Sequence, residues 1–268
     1  MYSVVKKHLG INVITGNIKM HTEDRNYRKL HRVGALLVHG VNGNLGNMHE
    51  LTRVLTSYNI VTLNVLFPGH GNHMRNMQSI NWSEWSNAVH EELRKLRQWC
   101  KYVFLIGHSL GGALCLHIAA SESVTGIVTM CEPVSMYPGM FPPVRMTKYA
   151  TVVPPKLRED LRSYEARRRY KSDAFSKSSM TPVESMLHYL PSLRAELPSV
   201  TAPTLIMTAV HDQVILTNDG QTIYRLIGSR EKYLVKIHQS HHLLMKAYDE
   251  EEIFARVFDF IQSHARGI

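Results

Sequence analysis

Cysteine is scarce in this sequence. The chain of 268 residues contains three, Cys100, Cys115 and Cys131, and none shows the C-x-x-C or other spacing typical of a metal site. Each lies in or beside an apolar segment, so we expect buried free thiols in a reducing compartment. A glycine loop of the dinucleotide-binding type is also missing. The sequence therefore argues against a secreted domain held by disulfides, and no metal or organic cofactor is expected.

Long apolar runs are missing too. No stretch approaches the roughly 18 to 20 uncharged apolar residues that cross a bilayer, and Lys6, Lys7 and His8 interrupt the part of the N-terminus where a signal sequence would be apolar. Hydrophobic residues still make up 44% of the chain, which is enough for a real core. We expect one large domain with an insertion, located in the cytoplasm and without integral membrane association.

Positive charge is in excess and unevenly distributed. Lysine and arginine number 31 against 22 aspartates and glutamates, a net charge of +9. Ten basic residues and only four acidic ones fall between Arg145 and Lys177, including the run RRRYK at 167–171. A basic excess can indicate a polyanionic partner, but no nucleic-acid-binding motif accompanies this one. We interpret it as a solvated basic helix face, and we do not expect a nucleic acid partner.

The most informative stretch runs from residue 102 to residue 121. The short apolar run YVFLI meets Gly107-His108-Ser109-Leu110-Gly111, and a helical pattern rich in small residues follows at once. Glycine two positions before and after the serine lets a strand and a helix approach without a Cβ clash, which would hold Ser109 exposed on a sharp turn. The helix N-terminus would then lie where an oxyanion forms. The alternative is a chance G-x-S-x-G string in a loop, but the flanking strand and helix favour a nucleophilic serine.

Short apolar runs alternate with helix-length segments along most of the chain. The predicted buried strands are Gly34–Val38, Ile60–Leu66, Tyr102–Ile106, Gly126–Cys131, Thr204–Val210 and Tyr233–Ile237. The predicted helices outside the serine motif are Met48–Tyr58, Trp82–Trp99, Thr217–Ile227 and Glu250–His264. Ser83 is the expected N-cap of the second of these helices, and residues 4–14 are expected to form a hairpin. This alternation predicts an α/β fold with a mostly parallel sheet covered by helices on both faces.

The alternation stops between Glu132 and Val200. This segment is rich in proline and basic residues and has no buried-strand run, yet it contains helical patches near Lys156–Tyr170 and Pro182–Tyr189. We interpret it as an insertion and not as a linker. The predicted core is then formed by residues 1–131 and 201–268, and residues 132–200 form the inserted unit.

A serine nucleophile needs a general base and an acid that orients this base. In sheets of this kind the chain order is serine, acid, histidine, with the acid after a late strand and the histidine after the last one. Asp212 follows the predicted strand Thr204–Val210, and His242 follows the predicted strand Tyr233–Ile237. The sequence therefore supplies both partners in the expected order.

These motifs together resemble the α/β-hydrolase family and, more narrowly, its small bacterial carboxylesterases and monoacylglycerol lipases. The resemblance is carried by GHSLGG at 107–112, the His39-Gly40 loop, the D-x-V-I segment at 212–215 and the Ser-x-His at 240–242. It spans nearly the whole chain from residue 35 to residue 261, apart from the insertion. Each motif alone is only moderately specific, but their combination and order are specific.

The resemblance implies an α/β-hydrolase fold in which residues 132–200 form a cap over the site. The site residues that it implies are the triad Ser109, Asp212 and His242 and, as backbone N–H donors of an oxyanion hole, Val41 and Leu110. No metal ligand is implied. His108, next to the serine, is expected to be a packing residue that points away from it.

Three details leave alternatives open. The family motif ends in Ser-Gly-His, whereas His241 stands here in the glycine position, so His241 is an alternative to His242 as the base. Glu132, at the end of a predicted strand, is an alternative acid. Asp219 and Asp249 are expected at helix termini instead.

The resulting functional prediction is a serine hydrolase that cleaves carboxylic esters through an acyl-enzyme. Short- to medium-chain acyl esters or monoacylglycerols are the expected small-molecule substrates, because methionines and aromatic residues at 136–149 could hold an acyl chain. These side chains could equally form the cap's own core. Thioesters, lactones and amides are alternative substrates, and a non-catalytic protein that binds an apolar ligand is the rival class. Weak contact of the basic cap with anionic lipid surfaces is also considered, and the sequence does not indicate an oligomeric state.

Overall fold

The computed structural model describes residues 33–41, 43, 45–70, 80–135, 180–246 and 249–265. The predicted N-terminal hairpin at 4–14, the basic segment 145–177 and the helical patch at 156–170 lie outside the described residues.

Six strands in the described part of the chain form one sheet. They are β1 (Val33–Val38), β2 (Val61–Val65), β3 (Tyr102–His108), β4 (Gly126–Met130), β5 (Thr204–Ala209) and β6 (Lys232–Ile237). Their order across the sheet is β2-β1-β3-β4-β5-β6, and every neighbouring pair is parallel. The predicted mostly parallel sheet is therefore confirmed, and each predicted strand agrees with an observed one within one or two residues at its ends.

Helices cover both faces of this sheet. They are α1 (His49–Ser57), α2 (Trp82–Trp99), α3 (Leu110–Ser121), α4 (Met180–Glu196), α5 (Asp219–Leu226) and α6 (Glu250–His264). One apolar cluster contains buried residues of α2, α3, α4 and α5, and a second contains those of α1 and α6. Strand β1 serves both clusters, because alternate side chains of a strand point to opposite faces. Leu36 and Val38 belong to the first cluster, whereas Ala35 and Leu37 belong to the second.

The N-terminus of α2 corrects one detail of the prediction. Asn81, and not Ser83, is the N-cap residue: its side-chain oxygen accepts hydrogen bonds from the backbone N–H groups of Ser83 and Glu84, at 2.9 and 3.3 Å. The Glu84 side chain in turn accepts a hydrogen bond from the backbone N–H of Asn81 at 2.9 Å. This reciprocal arrangement is a capping box, for which asparagine is as suitable as serine.

Helix α4 contains the second helical patch predicted within the insertion. It packs on the core through Trp82, whose ring stacks on that of Tyr189 with centroids 4.6 Å apart. The backbone N–H of Trp82 also donates to the Ser185 hydroxyl at 3.0 Å. The Tyr189 hydroxyl donates to Glu196 at 2.6 Å, and His117 of α3 bonds the same carboxylate at 2.7 Å. These contacts hold α4 firmly against α2 and α3.

The strand order reverses direction next to β1. The chain passes from β1 outward to β2 and then crosses to β3 on the other side. In parallel α/β sheets, the crevice at such a switch point lies outside the carboxyl ends of the strands and is the usual place for a ligand. The loop after β1 and the serine turn after β3 meet at this crevice. Among the described residues, none of the helices combines the length and the apolar character needed to cross a bilayer.

Candidate active site

Ser109 occupies a strained turn between β3 and α3. Its backbone has φ 54° and ψ −123°, in the region that residues other than glycine rarely adopt. The turn is held in place by the backbone N–H of Ser109, which donates to the carbonyl of Met130 at 2.8 Å. Such strain is typical of a nucleophile elbow, where it exposes the hydroxyl at the edge of the sheet.

Two glycines make this turn sterically feasible. A Cβ atom on Gly107 would lie 2.3 Å from the carbonyl oxygen of Gly111, and one on Gly111 would lie 2.0 Å from the carbonyl oxygen of Val38. Both contacts are with backbone atoms, which cannot move aside as a flexible side chain could. The G-x-S-x-G spacing is therefore required by the close approach of α3 to strands β1 and β3.

His242 lies between Ser109 and Asp212. Its Nε2 atom is 3.0 Å from the Ser109 Oγ atom, and its Nδ1 atom is 2.8 Å from Asp212 Oδ2. Because the carboxylate can only accept, Nδ1 carries the proton in the neutral ring and leaves Nε2 as an acceptor for the serine hydroxyl. The structure thus brings together the three predicted triad residues, which come from three different loops at the carboxyl edge of the sheet.

The Asp212 carboxylate is held by several donors. Its Oδ1 atom accepts hydrogen bonds from the backbone N–H groups of Val214 and Ile215, at 2.8 and 3.1 Å. Burial by itself would raise the pKa of this carboxyl, but His242 and the two N–H groups outweigh burial and lower the pKa below its usual value. The carboxylate therefore stays ionised and can orient the imidazole.

His241 lies next to His242 in the chain but bonds a different group. Its Nδ1 atom is 3.0 Å from the backbone carbonyl oxygen of His211, and its side chain is at the surface. The loop that carries both histidines is tied to the start of α6, because the Ser240 hydroxyl donates to Asp249 at 2.7 Å. In this register the ring of His242, and not that of His241, reaches Ser109.

His108 forms a hydrogen bond to the loop that carries His242. Its Nε2 atom lies 2.7 Å from the backbone carbonyl oxygen of His242, and the two rings are 5.0 Å apart. Burial, together with the proximity of His242, lowers the pKa of His108 to about 3. The ring is therefore neutral at physiological pH and donates through Nε2–H. Sequence reasoning predicted only a packing role, and no sequence pattern reveals this long-range hydrogen bond.

The loop after β1 forms the other wall of the site. Gly40 lies so close to Ser109 that a Cβ atom on Gly40 would be 3.2 Å from the Ser109 Cβ atom. The next residue, Val41, accepts a hydrogen bond through its carbonyl oxygen from the Nε2 atom of His70. His39 bonds the Gly40 carbonyl through Nδ1 at 2.8 Å. Two residues were predicted to supply the N–H groups of an oxyanion hole. Val41 follows the glycine next to Ser109, and Leu110 is the first residue of α3.

Glu132 is buried, and its hydrogen bond is with Thr129 and not with the imidazole. Its Oε1 atom accepts a hydrogen bond from the Thr129 hydroxyl at 2.9 Å, while the Nδ1 atom of His242 bonds Asp212. Burial raises the pKa of Glu132 to about 8. Asp219, at the start of α5 as expected for a helix terminus, is also buried and accepts hydrogen bonds from the backbone N–H groups of Val134 and Ser135 at 3.1 and 3.3 Å. These two acids lie where the chain leaves the sheet after β4.

Cys131 is a neighbour of the predicted triad residues Asp212 and His242 that sequence reasoning missed. Within the described ranges, the one group of side chains close enough to hold a metal ion is Cys131, Asp212 and His242, whose ligand atoms lie within 4.8 Å of one another. Two of these three atoms already bond each other in the triad. The position of Cys131 directly after strand β4 was the available signal, because the carboxyl ends of parallel strands meet at one edge. All three cysteines are buried and free, as predicted.

Comparisons with known proteins agree with this architecture. Residues 31–249 match the model of the family Hydrolase_4, described as serine aminopeptidase, S33, and the chain belongs to this family. It is 27% identical over 237 residues to the thermostable monoacylglycerol lipase of Bacillus sp. (strain H-257), which covers 87% of this chain and 92% of that protein. It is 23% identical over 235 residues to the carboxylesterase of Bacillus subtilis (strain 168), covering 85% and 91% of the two chains.

A comparison with a solved structure agrees with these sequence matches. A metagenome-derived lipolytic enzyme from a study of LipS and LipT superposes with a TM-score of 0.77 at 25% identity, covering 87% of this chain and 95% of that one. The predicted resemblance to α/β-hydrolases of the carboxylesterase and monoacylglycerol lipase type is confirmed. The chain is an esterase- or lipase-type α/β-hydrolase, and thus a carboxylic ester hydrolase.

Proposed function

We propose that Ser109, His242 and Asp212 form the catalytic triad of this hydrolase. The observation that carries the proposal is the pair of contacts made by one imidazole, at 3.0 Å to the Ser109 hydroxyl and at 2.8 Å to the Asp212 carboxylate. A serine hydroxyl is a weak nucleophile until a positioned base removes its proton. The strained backbone of Ser109 and the lowered pKa of Asp212 further support these roles.

The proposed reaction has two halves. Ser109 Oγ attacks the ester carbonyl carbon while its proton passes to His242 Nε2, and the tetrahedral intermediate then expels the alcohol, which takes that proton. Water enters, gives a proton to the same nitrogen and attacks the acyl-enzyme. Collapse of the second intermediate releases the carboxylic acid and returns the proton to Ser109. Asp212 keeps the imidazole in the required tautomer and stabilises the imidazolium.

The negative charge that develops on the carbonyl oxygen also needs a partner. We assign this role to the backbone N–H groups of Val41 and Leu110. Leu110 begins α3, so its N–H belongs to a helix N-terminus, which favours an anion. Val41 follows Gly40, where an added Cβ atom would lie 3.2 Å from the Ser109 Cβ atom. The hydrogen bond from His70 to the Val41 carbonyl would hold this loop in place.

For the substrate we propose short- to medium-chain acyl esters or monoacylglycerols. Two relatives support this class, one named a monoacylglycerol lipase and the other a carboxylesterase. Residues 132–200 are proposed to form a cap over the acyl chain, since α4, at the end of this segment, packs directly on the nucleophile helix α3. The basic part of the cap would allow weak contact with anionic lipid surfaces. A cytoplasmic location remains an expectation from the sequence.

Active-site labelling tests the proposal directly. Wild-type protein should react with a fluorophosphonate probe at Ser109, and the S109A variant should not. Hydrolysis of p-nitrophenyl esters of increasing chain length and of a monoacylglycerol, compared with a thioester, a lactone and an amino-acid anilide, would then define the substrate class. Labelling that persists in S109A would refute the proposed nucleophile, and a clear preference for the anilide would refute the proposed ester substrate.

A further inference from the structure

Cys131 has a backbone conformation that its residue type does not favour. It follows the last residue of β4 with φ 51°, in the left-handed region where glycine is preferred. Its backbone N–H donates to the carbonyl of Met207 on β5 at 3.0 Å, so this geometry is fixed between two strands. A residue with a Cβ atom at such a position destabilises the fold locally. Cys131 is therefore a candidate for a role beyond packing.

The thiol of Cys131 lies beside the acid of the proposed triad. Its Sγ atom is within 4.8 Å of a carboxylate oxygen of Asp212 and of a ring nitrogen of His242, and the residue is fully buried. Burial and, after it, the negative charge of Asp212 raise the pKa of the thiol well above its usual value. The thiol therefore keeps its proton and can serve as a donor, though a weak one.

Asp212 has acceptor capacity for this extra donor. A carboxylate accepts about four hydrogen bonds, and Asp212 receives two from the backbone at Oδ1 and one from His242 at Oδ2. Each donor that binds the carboxylate withdraws part of its negative charge from its other partners. A thiol donor would thus influence how strongly Asp212 attracts the imidazolium form of His242.

We propose that Cys131 is a positioning residue of this active site, whose S–H group donates to the Asp212 carboxylate and limits the charge that Asp212 presents to His242. The inference rests on the proposed triad. Its predicted signature is electrostatic. Without the thiol, Asp212 would stabilise the protonated imidazole more strongly, so the general base would be blocked by protonation at a higher pH.

Other ionisable groups surround the pair and must not change in the same pH range. His108 packs against His242 from β3, and burial lowers its pKa to about 3. Glu132 follows Cys131, and burial raises its pKa to about 8. Between about pH 5 and 7, therefore, His108 stays neutral and Glu132 stays largely protonated. A shift, within this window, in the decrease of kcat/KM on acidification (the acidic limb of the pH profile) therefore reports on the triad and not on these two groups.

Three variants at one position test the proposal. C131A and C131G both remove the thiol and should move the acidic limb of kcat/KM to a higher pH, by about 0.3 to 1 pH unit. At a pH below the limb, this shift lowers kcat/KM by roughly two- to tenfold. C131S supplies a hydroxyl donor and should keep the limb within about 0.2 pH unit of wild type. C131G should also unfold at a higher urea concentration than C131A, because glycine relieves the strain at φ 51°.

The outcomes separate a donor role from a merely structural one. If the limbs of C131A and C131G coincide with that of wild type, or if C131S shifts as they do, the proposal is overturned. If C131A folds poorly, the comparison of C131G, which has no donor, with C131S, which has a hydroxyl donor, still tests the proposal. Fluorophosphonate labelling of wild type and S109A is performed first. Loss of serine-dependent labelling would overturn the triad itself, whereas a labelled enzyme with an unmoved limb overturns only the role of Cys131.

Discussion

The Nε2 atom of His108 lies 2.7 Å from the backbone carbonyl oxygen of His242, 134 residues further along the chain. This buried hydrogen bond links the strand that precedes Ser109 to the loop that carries the proposed base. The position of the base relative to the nucleophile therefore depends on a contact that neither loop provides by itself.

Replacing His108 should weaken both the fold and the reaction. H108F keeps a ring but removes one of two donors to the His242 carbonyl, which still accepts a hydrogen bond from the backbone N–H of Leu244 at 3.0 Å. We therefore expect the free energy of unfolding to fall by about 0.5–1.5 kcal/mol, the net value of one hydrogen bond. Turnover should fall as well, since the His242 loop loses its anchor. Urea unfolding and ester hydrolysis measure the two effects. H108Q, which retains an N–H donor, is the matched control, and equal losses in both variants would contradict the hydrogen-bond explanation.

The proposed nucleophile gives the largest predicted effect. S109A should lower kcat for an acyl ester by about 10⁴- to 10⁶-fold, as loss of a triad serine does in other hydrolases. Circular dichroism and urea unfolding should show an intact fold, because the hydroxyl is small and lies at the edge of the sheet. Activity above about a tenth of wild type in purified protein would be incompatible with this role.

The two adjacent histidines should differ sharply. H242A should lower kcat about as much as S109A, because members of a triad act as a unit. H241A should have a much smaller effect, since the side chain of His241 is only partly buried and bonds the His211 carbonyl. Measuring both variants with one soluble ester provides an internal control. A reversed order would place the base one residue earlier.

Glu132 should make stability depend on pH. Its pKa is raised by burial from 4.5 to about 8, so the folded state holds a proton that the unfolded state releases. From about pH 4.5 to pH 8, the free energy of unfolding should therefore decrease as the pH rises, by up to about 1.4 kcal/mol per pH unit from this group. E132Q removes this titration and should be increasingly more stable than wild type over that range.

Urea unfolding at several pH values measures the difference between E132Q and wild type. E50Q is a suitable control, because Glu50 forms a surface ion pair with Arg53 and its pKa is lowered, not raised. The E50Q difference should not grow in the same direction. A constant difference between E132Q and wild type at all pH values would refute the burial argument.

The basic segment supplies a prediction from sequence alone. Replacing Arg167, Arg168 and Arg169 with glutamine should leave hydrolysis of a small soluble ester nearly unchanged if these side chains face outward, because exposed cations have little influence on a distant site. Lipid-surface contact would appear as a loss confined to substrates in anionic vesicles, and this loss should weaken with added salt. A large loss on the soluble ester would place the arginines in the structure that shapes the site.

The sequence by itself determined the alternation of strands and helices and the parallel sheet, because both are encoded in local periodicity and in the length of apolar runs. It also identified the turn at Ser109, because the G-x-S-x-G string is local in the sequence, although the contact that requires Gly111 is with Val38 of β1. The N-cap of α2 was assigned two residues too late, because both Asn81 and Ser83 are good caps and only the backbone geometry distinguishes them.

Only the tertiary structure decided which side chains meet at the carboxyl edge of the sheet. The sequence left His241 as an alternative to His242 and Glu132 as an alternative to Asp212; the structure puts His242 against Ser109 and Asp212, and Glu132 against Thr129. It also revealed Cys131 beside Asp212 and the link from His108 to the His242 loop. Apart from the pair Glu132 and Thr129, these contacts join residues 30 to more than 130 positions apart. Such contacts are set by how strands and loops pack, not by any local pattern.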